Sequence, residues 1–259
     1  MTHGPPAAQH ALDEALTAVP VIAIVRLPDT ALAVPAVDAV RRGGVRAIEI
    51  TLTTTGALDL IRALSDPPSS YEPGGTVIGV GSVRQPSQAA AAISAGAQFL
   101  VTPTFHPGVL DVAAAAGIPV VCGALTPTEL DTAAQAGAAY LKLFPASAVG
   151  PDYLRELLAP MPDLRIIPTG GVRAADVPAW AAAGARAVAA GSAVVAADLV
   201  EDQDWSAITS RAQHFTTVWP SRASTTDRVS SRHLSPRPAT GQPESFQIRS
   251  ELLRYGDSS

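Results

Sequence analysis

The chain has 259 residues, a net charge of -5 and a pI near 5.5, which sets nucleic acid aside as the main partner because phosphate binding wants a basic face. Hydrophobic residues make up 47% and mean hydropathy is +0.22, enough for a sizeable core, yet no apolar run approaches the length that spans a bilayer, so no membrane partner is expected. Cys122 is the sole cysteine, which rules out an intrachain disulfide and fits a reducing cytoplasm, and "MTHGPPAAQH" lacks the basic-then-apolar pattern of a secretory signal.

Residues 8–18 read as a short leading helix. "VIAIV" (21–25) then reads as a buried strand, and "DTALAVPAVDAVRRGG" as a helix ending in glycine. "AIEIT" (47–51) is the next strand, followed by a helix over 56–65. "VIGVG" (77–81) precedes a helix over 86–95, and "FLVTP" (99–103) one over 107–116. "PVVCG" (119–123) precedes "PTELDTAAQAG", and "YLKLFP" (140–145) a helix over 151–159. "RIIPTGG" (165–171) precedes "AADVPAWAAAG", and "AVAAGS" (187–192) a last helix over 204–218. Strict alternation implies parallel pairing, and short all-apolar strands imply burial on both faces. Eight such units in about 200 residues suit a closed (β/α)8 TIM barrel better than an open sheet. The barrel is expected over 8–218. Residues 220–259, rich in Ser, Arg, Pro and Thr, read as a disordered tail in which "FQIRSELLRY" (246–255) is a candidate short helix.

The basic residues number 18, and all but Lys142 are arginines. That bias is what a GC-rich genome produces, so the position that keeps lysine is informative. Lys142 falls in the sixth strand, where alternate residues point to the barrel axis. Pointing inward, its ammonium is poorly solvated and its pKa falls, which makes it an amine nucleophile fit for a Schiff base with a carbonyl substrate. Arginine stays protonated and cannot do this. The alternative is a lysine that snorkels to the strand end or pairs with a core carboxylate.

Glu49 stands between isoleucines in "AIEITL". A carboxylate in such a strand is paired, hydrogen-bonded or catalytic, and desolvation lifts its pKa toward the range useful for proton transfer. "PTGG" (168–171) and "AAGS" (189–192) follow the seventh and eighth strands. Backbone N–H groups there, with Ser192, fit a phosphate cradle, although ordinary glycine capping explains the same residues. Thr51, Thr53, Ser82 and Thr102 lie near strand ends and offer hydroxyls to substrate or to turns. Arg26 ends the first strand and suits a carboxylate or phosphate, or simply the surface. Cys122 reads as core, and His106 is given no role. No His, Asp or Glu spacing suggests a metal.

"AIEITL", "GVGSV", "VTPTF", "LTPTEL", "LKLFPASAVGP", "IPTGGV" and "AAGSAV" occur in that order, and together they resemble the 2-keto-3-deoxy-6-phosphogluconate aldolases and their 2-keto-4-hydroxyglutarate and 6-phosphogalactonate relatives, over about residues 10–218. The resemblance implies a class I aldolase on a (β/α)8 barrel, usually a homotrimer, that needs no cofactor. Lys142 matches the family's Schiff-base lysine and Glu49 its acid–base glutamate. Gly170, Gly171, Gly191 and Ser192 match its phosphate-binding turns, and Ser82, Pro103, Phe144 and Thr169 its substrate-shaping positions. Ser82 stands where many members have threonine. Thr53 stands where some members carry a substrate-contacting arginine, and Arg26 is the expected substitute for it.

The implied reaction cleaves 2-keto-3-deoxy-6-phosphogluconate to pyruvate and glyceraldehyde 3-phosphate. Its galactonate epimer and 4-hydroxy-2-oxoglutarate are alternative substrates, and oxaloacetate decarboxylation is an expected side activity. A non-catalytic barrel that binds a phosphorylated metabolite is the alternative from another class.

Overall fold

The computed structural model describes residues 6–28, 30–65 and 75–220. Eight parallel strands are joined by helices: β1 (Val21–Val25), β2 (Ala47–Thr51), β3 (Val77–Gly81), β4 (Phe99–Val101), β5 (Val120–Ala124), β6 (Tyr140–Leu143), β7 (Ile166–Pro168) and β8 (Val188–Ala190). Each strand pairs with its sequence neighbours, and β8 returns to β1 through Val21–Val188 and Ala23–Ala190. Between β7 and β8 a single bridge, Thr169 to Ala189, closes the ring, with the Arg186 N–H donating to the Ile166 carbonyl at 2.9 Å. The architecture is the expected (β/α)8 barrel, closed by a thin seam.

The helices on the outside are α2 (Ala33–Arg42), α3 (Ala57–Ser65), α4 (Pro86–Ser94), α5 (Pro107–Ala115), α6 (Pro127–Gln135), α7 (Gly150–Leu158) and α8 (Val177–Ala182). Their starts are written locally. Proline opens α4, α5 and α6, where the missing N–H costs nothing. At α6 a reciprocal cap forms: the Glu129 N–H donates to Thr126 Oγ1 at 3.4 Å, and the Thr126 N–H donates to Glu129 Oε2 at 2.8 Å. Gly96 and Gly137, at φ 99° and 89°, end the α4 and α6 units in the left-handed conformation that glycine adopts without strain.

Strand alternation separates two cores. One layer lies between sheet and helices and holds Ile48, Ile50, Ile78, Val80, Leu100, Leu141 and Leu143. The other fills the barrel interior with Ile22, Ile24, Phe99, Val121, Tyr140 and Ile167, joined by Leu12, Ala15 and Leu16 of α1 (Ala7–Ala18). The leading helix therefore plugs the N-terminal end of the barrel with an i, i+3, i+4 apolar face. A short α9 (Ala197–Glu201), absent from the sequence-based reading, precedes α10 (Trp205–Thr217), which lays Ile208, Ala212 and Phe215 into the core beside α2.

The strands β4, β6 and β7 are shorter than their apolar runs suggest. Pro103 and Pro145 lack the N–H a ladder needs, and Gly170 and Gly171 turn to positive φ, so the chain leaves the sheet there and lines the mouth instead. Among the described residues, no helix is long and apolar enough to cross a membrane. The expected tail and its candidate helix at 246–255 lie outside the described residues, Pro220 apart.

Candidate active site

All strands run in the same direction, so every residue that follows a strand's last position sits at one rim of the barrel. The candidate residues gather there from seven strands. Lys142 lies on β6 and Glu49 on β2, both on the interior face, with 6% and 1% of their surface exposed. Arg26 follows β1 and is exposed. Thr53 follows β2, Ser82 β3, Pro103 β4 and Phe144 β6. Thr169, Gly170 and Gly171 follow β7, and Gly191 and Ser192 follow β8.

Burial moves both ionisable groups toward neutrality. Desolvation pulls the Lys142 ammonium below the ordinary lysine range; Glu49 opposes that shift, and the positive charge of Arg26 adds to it. Desolvation likewise raises the Glu49 carboxyl, against the attraction of Lys142 and Arg26. The two groups therefore share one field. Among the described residues, the ion pairs within 4.0 Å all lie elsewhere, so the structure does not make Lys142 and Glu49 a direct structural salt bridge. Lys142 Nζ instead lies 4.8 Å from the centroid of the Phe144 ring, a cation–π distance, and the ring is 37% exposed at the mouth.

Backbone geometry at the rim is unusual where the candidates sit. Ser82 has φ 62°, the left-handed region that a non-glycine residue seldom enters. Gly170 and Gly171 have φ 92° and 76°, and their N–H groups belong to a turn held by Ala146 N–H to the Thr169 carbonyl at 2.7 Å and Ser147 N–H to the Gly170 carbonyl at 3.0 Å. The β6 and β7 loops are thus tied together, which fixes Phe144 above the lysine and the double glycine beside it.

The hydroxyls divide into two groups. Thr102 is fully buried, and its Oγ1 accepts the Gly123 N–H at 3.1 Å and faces Cys122 Sγ at 3.6 Å, so it holds β4 to β5 and is not open to a ligand. Cys122 is a core thiol whose pKa burial raises. Thr51 is also fully buried, bonded to Thr53 Oγ1 at 2.9 Å and to Thr54 Oγ1 at 3.5 Å. Thr54 Oγ1 accepts the Leu27 N–H at 3.2 Å. This chain of hydroxyls links the end of β2 to the backbone just after Arg26. Sequence reasoning missed Thr54, since nothing in "TLTTT" distinguishes a linking threonine from a solvated one. His106 occupies the residue before α5 and makes no side-chain cap.

A groove of about 570 Å³ lies away from the lysine, between the β2 and β3 loops, bounded by Leu52, Thr54, Gly56, Arg62 and Gln88. Neither Lys142 nor Glu49 lines it.

A parallel barrel with ionisable groups at the C-terminal ends of its strands defines a (β/α)8-barrel enzyme. Residues 12–211 match the family model "KDPG and KHG aldolase". The 2-dehydro-3-deoxy-phosphogluconate aldolase of Treponema pallidum is 33% identical over 201 residues, covering 77% of this chain and 93% of that protein. The 2-dehydro-3-deoxy-6-phosphogalactonate aldolase of Escherichia coli K12 is 38% identical over 179 residues, covering 68% and 84%. A solved structure of the KDPG aldolase from Legionella pneumophila, with pyruvate captured at low pH as a covalent carbinolamine intermediate, superposes with a TM-score of 0.70 at 25% identity, over 84% of this chain and 100% of that one. The chain belongs to the KDPG/KHG aldolase family, and it is an aldolase, a carbon–carbon lyase.

Proposed function

We propose that this chain is a class I aldolase that cleaves 2-keto-3-deoxy-6-phosphogluconate through a Schiff base on Lys142. The observation that carries the proposal is the sole lysine of the sequence, buried on the interior face of β6 with its pKa pulled down by desolvation, in the field of a buried glutamate. An amine whose proton is more easily lost attacks a ketone better than an exposed lysine does.

The Lys142 amine adds to the C2 ketone and gives a carbinolamine. Glu49 in its acid form protonates the departing hydroxyl, water leaves, and an iminium remains. Glu49, now a carboxylate, takes the proton of the C4 hydroxyl, directly or through water. The C3–C4 bond breaks, its electron pair moves into the iminium to give an enamine, and glyceraldehyde 3-phosphate departs. Protonation at C3 and hydrolysis of the imine release pyruvate and restore the amine. The raised pKa of Glu49 suits a group that must both give and take a proton in one cycle.

At the substrate's far end, the N–H groups of Gly170, Gly171 and Gly191 with Ser192 hold the phosphate, and Arg26 supplies the positive charge. Ser82, Pro103, Phe144 and Thr169 shape the channel around the keto acid, with Thr53 beside Arg26. The active form is a homotrimer, on the strength of the family resemblance, and the single cysteine fits work in a reducing cytoplasm. A second reading has its own support: the E. coli relative at 38% identity is a 6-phosphogalactonate aldolase, so the C4 epimer is the competing substrate.

The test is to incubate the protein with pyruvate and borohydride, then measure intact mass and map the modified peptide. One reduced pyruvate adduct per chain, on Lys142, is the expected result. Undiminished cleavage without an adduct overturns the Schiff base. Comparing kcat/KM for the two epimers and for 4-hydroxy-2-oxoglutarate then fixes the substrate, and preference for the non-phosphorylated acid removes the phosphate role of the glycine turns.

A further inference from the structure

Three interior positions of the central strands are glycine, and each is empty for a different reason. A Cβ built on Gly79 lands in the Phe99 ring, 2.5 Å from Cδ2 with other ring atoms closer still. One built on Gly123, the register partner of Lys142, meets backbone, with the Thr102 carbonyl oxygen at 2.6 Å and Pro103 nearer. At Gly81 the three nearest atoms all belong to one side chain, that of Glu49: Cγ lies 2.6 Å from the built Cβ, and Cδ and Oε1 lie closer.

Gly81 is the register partner of Thr51, two residues beyond Glu49 on β2. It is buried and lies within β3, and its φ is outside the left-handed region, so the backbone there makes no demand for glycine. A glycine inside a strand forfeits packing and chain entropy; what it provides at this position is room. The room is filled by the Glu49 carboxyl, which lies across the Cα of Gly81.

We propose that Gly81 is a positioning residue whose missing side chain sets where the Glu49 carboxyl stands, and hence whether that group can exchange protons with an adduct on Lys142. The inference rests on the acid–base role proposed for Glu49. Gly81 has no side chain to offer the reacting atoms, and the atoms nearest a Cβ built there are all Glu49's. A methyl group at this position forces the carboxyl out of its slot, and because the obstructing atoms are the far end of a flexible side chain, the barrel accommodates the change by moving Glu49 alone. Gly79 and Gly123 differ in this respect, since an added methyl meets a packed ring at one and backbone at the other. Their alanine variants lose stability, and G81A loses function.

The experiment is a double-mutant cycle on the full chain with G81A, E49A and E49A/G81A, reading kcat, KM, the pH–rate profile and Tm. G81A lowers kcat by about 100-fold, the scale of lost general acid–base catalysis, with KM changed less than about threefold and loss of the pH-dependent limb that E49A also removes. In the E49A background the same substitution changes kcat less than about twofold, because the displaced group is already gone. If G81A fails to fold while E49A/G81A folds, the competition for one space is demonstrated by stability instead. Three results overturn the proposal. They are a G81A enzyme within about threefold of the parent, an equal loss from G81A with and without Glu49, and failure of both G81A proteins to fold. A fully active E49A protein is a separate failure, that of the acid–base role itself.

Discussion

Tyr140 and Lys142 are two residues apart on β6, point to the same interior and are almost equally buried, yet the barrel treats them in opposite ways. Tyr140 sits at the plugged end. Its hydroxyl donates to Asp13 Oδ1 of α1 at 2.7 Å, Arg165 donates to both at 2.5 Å, and the Arg165 guanidinium stacks 3.9 Å from the tyrosine ring. Burial and the Asp13 carboxylate push the phenol above its ordinary range, which favours its neutral form. Lys142, one turn of the pleat nearer the mouth, faces an aromatic ring and feels the Glu49 carboxylate without an ion-pair contact, and burial destabilises its charged form. Polar groups at the closed end are satisfied and add stability. At the open end Lys142 and Glu49 are buried with no ion-pair partner within 4.0 Å among the described residues, and desolvation makes the charged form of each costly.

The largest expected effect comes from the open end. Lys142→Arg keeps the charge but not the ability to lose it, and pyruvate release falls on the order of 10⁴-fold or more, the scale seen when a covalent nucleophile is removed. Glu49→Gln falls less, by about 10²–10⁴-fold, as a lost proton-transfer group does. Steady-state kinetics with the phosphorylated substrate measures both, and equal mild losses for the two variants break the comparison.

Stability should move the other way. Between the ordinary glutamate value of 4.5 and its raised folded value, the folded chain binds more protons at Glu49 than the unfolded chain does, so stability falls as pH rises through that window. Between the depressed folded value of Lys142 and the ordinary 10.5, the folded chain binds fewer, so stability rises with pH there. The double variant E49Q/K142M removes both slopes and gains on the order of 1 to 4 kcal/mol at neutral pH, as replacements of buried charges do. Thermal unfolding across pH 4 to 11 (the range is about that spanned by the two ordinary values) reads both windows.

At the closed end, Asp13→Ala strips the tyrosine and the arginine of their shared acceptor. The loss is about 1 kcal/mol, since Arg165 and Asp13 keep 39% and 31% of their side-chain surface exposed and water moderates the pair. Its kcat stays within about twofold, because a charge pair this far from the mouth exerts little field on the reacting atoms. A Tm fall with unchanged kcat sharpens the contrast between the two ends; a kcat loss removes it. The smallest effect is reserved for truncation after Pro220. The family match ends at residue 211, so cleavage and Tm are expected to hold, and a large loss of either assigns the last 39 residues a role in the barrel.

Much of this was legible in one dimension. The runs 21–25, 47–51 and 77–81 are strands with those same limits, because an all-apolar run bounded by turn residues has few other uses in a parallel sheet. The lone lysine and the glutamate between isoleucines stood out chemically, since a charge in such a strand must be compensated or used. Less legible were the strand ends at 101, 143 and 168, where proline and glycine at the mouth end the ladder sooner than hydropathy suggests. The missing Thr54 link and the reason for Gly81 were illegible for another cause. Each depends on which side chain from a neighbouring strand stands opposite.

Alternation, strand count, the closing helix at 8–18 and the charged residues that stand out inside apolar strands are properties of local pattern and composition, and the sequence by itself determined them. The tertiary structure decided which groups meet. Glu49 and Lys142 are 93 positions apart in the chain and reach the same field only because four parallel pairings carry β2 to β6 in one register. Register also decides that the Cα of Gly81 lies under the Glu49 carboxyl and that Thr102 is spent on β5. Period-two patterning tells which face a residue takes, and only the ladder of backbone hydrogen bonds tells what stands beside it.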